Sequence, residues 1–356
     1  MLKKIFGSLL CTLTLTIATA TVATAQDPQF SQFYAAPLYH NPAFAGSAFT
    51  PRLNVNYRNQ WPSLAANYVT SVVSFDTYFE RFNSGVGVVL MNDSQGGSRI
   101  KNTEVSLLYS YQIRVSDEGT FRMGVQGTYS NRGFDIFGLT FGDQFGTGGF
   151  TGNPSGDPLA DPRNYQTANV FDVSAGVLYY NPKLWVGISS HHLTEPQIDL
   201  VRAGTVTDIG GVLPRKYTVT GGYNIPLRNP LSNASNSGRE LIATPAFLFK
   251  QQGKFSQLDL GAYFTYSPVT LGLWYRGIPV NKYKTSRASH DALVALAGFR
   301  FDSFSFGYSY DLTVSSLGVS SGGSHEISIS YTFDVLDAAL PPYKKRRKKE
   351  LSCPKF

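Results

Sequence analysis

Residues 303–312 read Ser-Phe-Ser-Phe-Gly-Tyr-Ser-Tyr-Asp-Leu, and the order of these letters decides the fold. Phe304, Phe306, Tyr308, Tyr310 and Leu312 take every second position, with Ser303, Ser305, Gly307, Ser309 and Asp311 between them. Successive side chains of a strand point to opposite faces, so this segment is a strand with one oily and one polar side. Residues 327–335 repeat the pattern, setting Ile327, Ile329, Tyr331, Phe333 and Val335 against Ser328, Ser330, Thr332 and Asp334. Val105, Leu107, Tyr109, Tyr111, Ile113 and Val115 do the same, as do Leu258, Leu260, Ala262, Phe264 and Tyr266. No segment carries a helical period.

Working outward, the same reading gives strands near 52–61, 67–79, 84–92, 102–115, 119–132, 168–181, 183–192, 215–225, 240–250, 256–266, 269–278, 290–301, 303–312 and 324–335. Many are about ten residues long, the length a tilted strand needs to cross a bilayer. The connections alternate in length. Short ones fall at Arg81–Asn83, Ser116-Asp117-Glu118, Asn181-Pro182, Ser267-Pro268 and Asp302. Longer ones fall at 93–101, 133–167, 193–214, 279–289 and 313–323, and a long connection at 226–239 breaks the alternation. Outer-membrane barrels have an even number of strands, tight periplasmic turns and long external loops. The fold expected is therefore all-β: a transmembrane antiparallel β-barrel of about 14 strands, of outer-membrane type, over residues 52–335.

A soluble β-sandwich also alternates, but rarely with so many strands or such asymmetry of turn length. Aromatic residues make up 14% of the chain, and Trp61, Tyr68, Phe79, Tyr179, Tyr180, Trp185 and Trp274 fall close to expected strand ends. Rings with one wet and one oily edge favour that depth in a membrane.

The chain ends fit export. Lys3 and Lys4 precede an apolar, small-residue run from Ile5 to Thr21, and Ala23-Thr24-Ala25 offers a cleavage site, so residues 1–25 read as a signal peptide. Cys11 lies too early and lacks the small residue before it that a lipid-modified cysteine needs. Residues 26–51 contain Pro28, Pro37, Pro42 and Pro51, which excludes a central strand, and they read as a periplasmic or lumen-inserted segment. Beyond the signal peptide, no run approaches the roughly 18 apolar residues of a membrane helix.

The net charge of +7 is local. The signal peptide carries two basic residues and no acids, while the tail 336–356 carries seven basic residues against two acids, which leaves 22 of each sign between them. The body is neutral, so a nucleic-acid partner, which wants a basic face, is not expected. Cys353 is the one cysteine beyond the signal peptide, too few for a disulfide framework or a zinc site, and no cofactor is implied.

Specific residues carry a family resemblance. Asp27-Pro28-Gln29-Phe30-Ser31-Gln32-Phe33-Tyr34, then Pro37-Leu38-Tyr39 and Asn41-Pro42-Ala43-Phe44-Ala45-Gly46, resemble the opening of the PorP/SprF type IX secretion system membrane proteins. Gly187-Ile188-Ser189 with His192-Leu193 and Pro196 agrees, as do Gly272-Leu273-Trp274-Tyr275-Arg276 and Gly307-Tyr308-Ser309-Tyr310-Asp311 with Gly323-Ser324-His325-Glu326-Ile327. The resemblance implies an outer-membrane barrel beside the type IX translocon. It implies binding of a secreted surface protein, such as an adhesin used in gliding motility, through that cargo's C-terminal signal domain. It also implies links to the periplasmic ring. The basic tail departs from the family pattern.

Phase then selects candidate site residues. Arg276, Asp311 and Glu326 alternate with outward apolar residues, so they face the lumen, and counting along the strands puts all three near the external mouth. Charges there need partners, so the three are expected to share a polar network that either braces the wall or receives a cargo peptide. Arg300 also faces inward, near the periplasmic end. His191 and His192 are adjacent in a strand and so point apart; hydrogen bonding at the mouth is the expectation for them, not joint metal ligation. Asp143, Asp157 and Asp161 in the loop 133–167 match no calcium-loop spacing, and the loop reads as one that touches a partner. No serine stands in a spacing that marks a nucleophile, so catalysis is not expected.

Lys344, Lys345, Arg346, Arg347, Lys348 and Lys349 follow Pro341-Pro342 and read as a solvated tail. The sharper alternative is electrostatic contact with lipid phosphates or an acidic periplasmic partner. Both chain ends are expected in the periplasm. A porin-like channel for small solutes is the alternative function.

Overall fold

A computed structural model describes residues 27–333, apart from 66, 97–99, 135–139, 202–210, 228–240, 284–286 and 316–317. The expected signal peptide and the basic run Lys344–Lys349 lie outside the described residues.

Fourteen antiparallel strands form the wall. They are β1 Arg52–Gln60, β2 Tyr68–Phe79, β3 Ser84–Gln95, β4 Ile100–Arg114, β5 Thr120–Phe134, β6 Ala168–Tyr180 and β7 Leu184–His191. The second half is β8 Lys216–Tyr223, β9 Leu241–Gln252, β10 Phe255–Tyr266, β11 Val269–Tyr283, β12 Arg287–Phe301, β13 Phe304–Thr313 and β14 Ser324–Thr332. Each strand pairs with its neighbours in sequence. The ring closes where β1 meets β14, in register from Arg52↔Thr332 to Gln60↔Ser324. In hydrocarbon every backbone N–H and C=O must be paired, and a closed ring leaves no edge unpaired.

The faces are inverted relative to a water-soluble protein. Outward Leu107 is 65% exposed and Leu273 is 66% exposed. Inward Ser106, Ser110, Asn56 and Ser309 are buried. An apolar band of this extent on the outside and a polar lining within suit lipid around the wall. Among the described residues no helix is long and apolar enough to cross a membrane.

The ends of the ring differ. One carries the tight connections at Ser267-Pro268, at 181–183 and at 302–303, and the other carries the long ones at 135–167 and 192–215. Three connections depart from expectation. The loop expected at 279–289 shrinks to 284–286, because β11 and β12 continue through register shifts at Arg276/Gly277 and Ile278/Lys282 that interrupt alternation. The loop expected at 93–101 likewise shrinks to 96–99 as β3 and β4 lengthen. On the long-loop side, β9 and β10 are joined by only Gly253-Lys254, where Gly253 takes a φ of +55°. In the long connection between β8 and β9, Ile225–Leu227 extends the ladder against Leu241–Ala243.

The segment before β1 fills the lumen. It enters beside His192, Lys216 and Gln252 at the long-loop ends of β7, β8 and β9, and leaves at Arg52 on the tight-turn side. Residue 27 therefore lies at the opposite end of the ring from Thr332. Helix α1 (Pro37–His40) and a 3-10 turn at Pro42–Phe44 form its middle, where Asn41 accepts a hydrogen bond from the Ala43 N–H. The fit is close: a Cβ on Gly124 would lie 2.4 Å from the Ala43 nitrogen, and one on Gly85 would meet the Ala45 carbonyl. Arg122 donates from Nε to the Ala43 carbonyl at 3.1 Å and from Nη2 to the Ala45 carbonyl. Phe33 sets its ring edge-on to Trp274 at 5.2 Å, and Tyr34 does so to Tyr263 at 5.1 Å.

Leu273→Arg should destabilise the barrel by about 2–4 kcal/mol if the residue lies at the bilayer midplane. Reversible folding into phospholipid vesicles measures this, and a cost near zero would mean that water covers this face.

Candidate functional site

β1, β11, β13 and β14 each aim an inward charged side chain at one spot beneath the long-loop mouth. Arg58 bridges two of the sequence-selected acids: Nη2 lies 2.8 Å from Asp311 Oδ2 and Nη1 lies 3.0 Å from Glu326 Oε2. Arg276 Nη1 meets the same Asp311 oxygen at 2.8 Å, and its Nε reaches Asp259 on β10 at 3.2 Å. Arg276, Asp311 and Glu326 thus fall into one network, but through a residue and a strand that phase reasoning did not single out. Arg58 was within reach of the same argument, since it continues the inward series Asn54, Asn56.

The lumen segment completes the network. Both arginines donate to Ser31 Oγ at 2.8 Å, and that hydroxyl bonds Asp311 Oδ2 at 2.7 Å. The Ser31 and Gln32 backbone N–H groups donate to the two Glu326 carboxylate oxygens at 2.7 and 3.0 Å. The side chains of Arg58, Arg276, Asp311 and Glu326 are no more than 2% exposed. Two cations face three acids here, and the Ser31 and Gln32 amides supply the remaining donors. Arg300, by contrast, is exposed at the tight-turn end.

Above this floor an open vestibule of about 610 Å³ faces the long-loop end. Gln60, Gln95, Gln252 and Gln257 line it with Trp61, Tyr68 and Lys250, and Asp27-Pro28-Gln29 of the lumen segment form its base. Trp61 holds a left-handed φ of 57°, a strained conformation for a bulky residue, fixed by its N–H bond to the Gly323 carbonyl at 2.8 Å. Its ring stands edge-on to Tyr68 at 5.5 Å. Glutamine amides with aromatic rings suit the backbone and side chains of a peptide.

His191 and His192 do not diverge as expected. β7 ends at His191, and His192 takes a φ of 58°, so both rings are buried with centroids 6.4 Å apart. His192 lies between two carboxylates, Nδ1 at 2.9 Å from Asp172 and Nε2 at 2.8 Å from Asp27. Among the described residues no cluster of His, Cys, Asp and Glu forms a metal site. In the loop 135–167, Asp143 accepts from Ser155 Oγ at 2.6 Å and from the Gly156 N–H at 2.7 Å, which holds its carboxyl below the usual range. Asp161 caps a 3-10 turn (Pro162–Asn164), and its hydrogen bonds from Arg163 push its pKa down to about 2. These aspartates brace the loop, which presents Phe145 and Phe150 at its exposed tip.

The chain matches the model of the type IX secretion system membrane protein PorP/SprF over residues 22–331. It belongs to the PorP/SprF family. The matched region spans the lumen segment, nearly all of the wall and every residue of the charged network, so this is an outer-membrane barrel of a secretion system. Among solved structures it is similar to the outer membrane protein Omp33 of Acinetobacter baumannii at 6% identity and a TM-score of 0.40, covering 81% of this chain and 100% of that one. The toluene transporter TodX of P. putida is similar at 12% identity and a TM-score of 0.44, over 83% and 93% of the two chains. No curated protein matches.

Removing one partner of a buried charged network leaves the others unpaired. Arg58→Met should cost about 3–5 kcal/mol and free the start of the lumen segment to protease. Denaturant unfolding in detergent micelles measures it, and a loss under about 1 kcal/mol would mean the network does not brace the barrel.

Proposed function

We propose that this protein is the outer-membrane component of a type IX secretion system that holds a large surface protein, such as an adhesin of gliding motility, through its C-terminal signal domain. Membership of the PorP/SprF family over residues 22–331 carries the reading. The vestibule supports it, since it is open at the mouth and floored by the chain's own lumen segment, a shape suited to gripping a polypeptide. In this reading the long loops face outward and the tight turns face the periplasm, as is usual for bacterial barrels. The tail 336–356 then lies in the periplasm, where Lys344–Lys349 attract lipid phosphates or an acidic component of the ring.

Arg276, Asp311 and Glu326 contribute to cargo binding as the platform beneath the vestibule. They are buried, so they act through the Ser31 turn that they hold. A porin-like channel is the second reading, and the packed side chains of Phe33, Tyr34 and Leu38 inside the ring speak against it.

Affinity isolation of the intact protein from outer membranes should bring down translocon components and one large secreted protein, identified by mass spectrometry. Purified protein in a planar bilayer should show no steady conductance. Steady conduction together with no co-isolated secretion partner would replace this reading with the channel.

A further inference from the structure

We infer that the base of the vestibule is a receptor for a peptide carboxylate, held in this state by the chain's own Asp27. The inference deepens the proposed cargo role and rests on it for the identity of the incoming peptide.

Asp27 is gripped as a ligand would be. Its carboxylate takes Lys216 Nζ at 2.5 Å, His192 Nε2 at 2.8 Å and Gln252 Nε2 at 3.1 Å, and its backbone N–H donates to Gln252 Oε1 at 3.0 Å. The three side chains come from separate wall elements, and Lys216 and His192 each have a further partner besides Asp27. Lys216 lies over the Tyr39 ring at 4.9 Å, His192 is oriented by Asp172, and Gln252 stands directly across the ladder from Lys216. Two carboxylates flanking both nitrogens of the His192 ring favour its doubly protonated form, so the pocket presents two cations and an amide.

A second observation points to an incoming anion. Lys250 faces the vestibule one ladder step from Gln252, and its ammonium meets the Gln29 side-chain oxygen at 2.6 Å. Its close partner there is that neutral amide oxygen. Lys216 and Gln252 stand opposite each other on the inner face, and Lys250 takes the diagonal position on the same face, its Cα about 7–8 Å from that of Lys216. Two cations on one face of adjacent strands suit two neighbouring carboxylates of a peptide, such as an acidic side chain and a free C-terminus.

The lumen segment is built for exchange at this end. Residues 27–29 hold on through polar contacts at the base of the vestibule, whereas Phe30 packs edge-on to Tyr39 at 5.3 Å, Ser31 is fixed in the charged network, and residues 33–45 are held by aromatic packing and by a backbone seated against Gly85 and Gly124. An incoming carboxylate can take the place of Asp27 while the rest of the segment stays seated.

The test uses the full-length protein in detergent and a fluorescent hexapeptide with a penultimate Asp and a free C-terminus, beside its Asn-containing, C-terminally amidated counterpart. Asp27→Asn removes the competing charge and should tighten binding of the acidic peptide at least about tenfold over wild type by anisotropy. Adding Lys250→Gln should remove that gain, and the amidated peptide should bind none of the proteins. Equal affinity of wild type and Asp27→Asn, or equal binding of the two peptides, overturns the inference. A second measurement avoids dependence on the Asp27 variant. In a Pro28→Cys protein with Cys353→Ser, thiol labelling should accelerate with the acidic peptide and not with the amidated one, and unchanged labelling overturns the inference. Co-isolation of the secreted partner separates the two readings. If it persists while no acidic peptide binds, only the receptor falls; if it fails while peptide binds Asp27→Asn, only the cargo role falls.

Discussion

A backbone in hydrocarbon has nowhere to put an unpaired amide, and the nine-residue seam between β1 and β14 answers that requirement. Closure makes the first and last strands neighbours. It thereby brings Arg58 to Glu326 across a sequence separation of 268 residues, and to Asp311 across 253. Without the seam the wall would have two open edges, and the charged network would have no meeting place. The site is therefore a consequence of the membrane constraint.

A closed ring of fourteen strands encloses more space than its own inward serines, threonines and asparagines fill. The lumen segment occupies it, and it does so with two kinds of contact. Around Phe33, Leu38 and Ala45 the contact is apolar and tight, with wall glycines removing the Cβ atoms that would collide. Around Asp27 and Ser31 it is polar, with charges on the wall answered by carboxylate, hydroxyl and backbone amide. Burying Arg58 and Arg276 would be costly in isolation; carboxylates and the Ser31 turn together offset that cost. Segment and wall thus stabilise each other, and the vestibule is the space left above their junction.

Much of this was legible in the sequence. The alternation at 303–312 and 327–335 placed Phe306 and Ile329 outside and Asp311 and Ser328 inside, and the strands stand where the period put them. Phase also found Arg276, Asp311 and Glu326 as inward charges near one mouth. It failed where the chain leaves regular geometry. The register shifts in β11 and β12 hid the continuation of both strands, and the left-handed φ of His192 turned its ring to the same side as His191. The prolines of residues 26–51 excluded a strand but could not say where the segment goes.

The sequence by itself determined the class of fold, the face each strand gives to lipid and the family, because strand alternation and short motifs are local properties that survive without knowledge of any partner. Only the tertiary structure decided that Ser31 sits between Arg58 and Arg276, that Asp27 occupies a pocket of Lys216, His192 and Gln252, and that Gly124 is a seat for Ala43. Those contacts depend on ring closure, on register and on a segment threaded through the ring. Each joins residues far apart in the chain, and no local pattern encodes the distance between them.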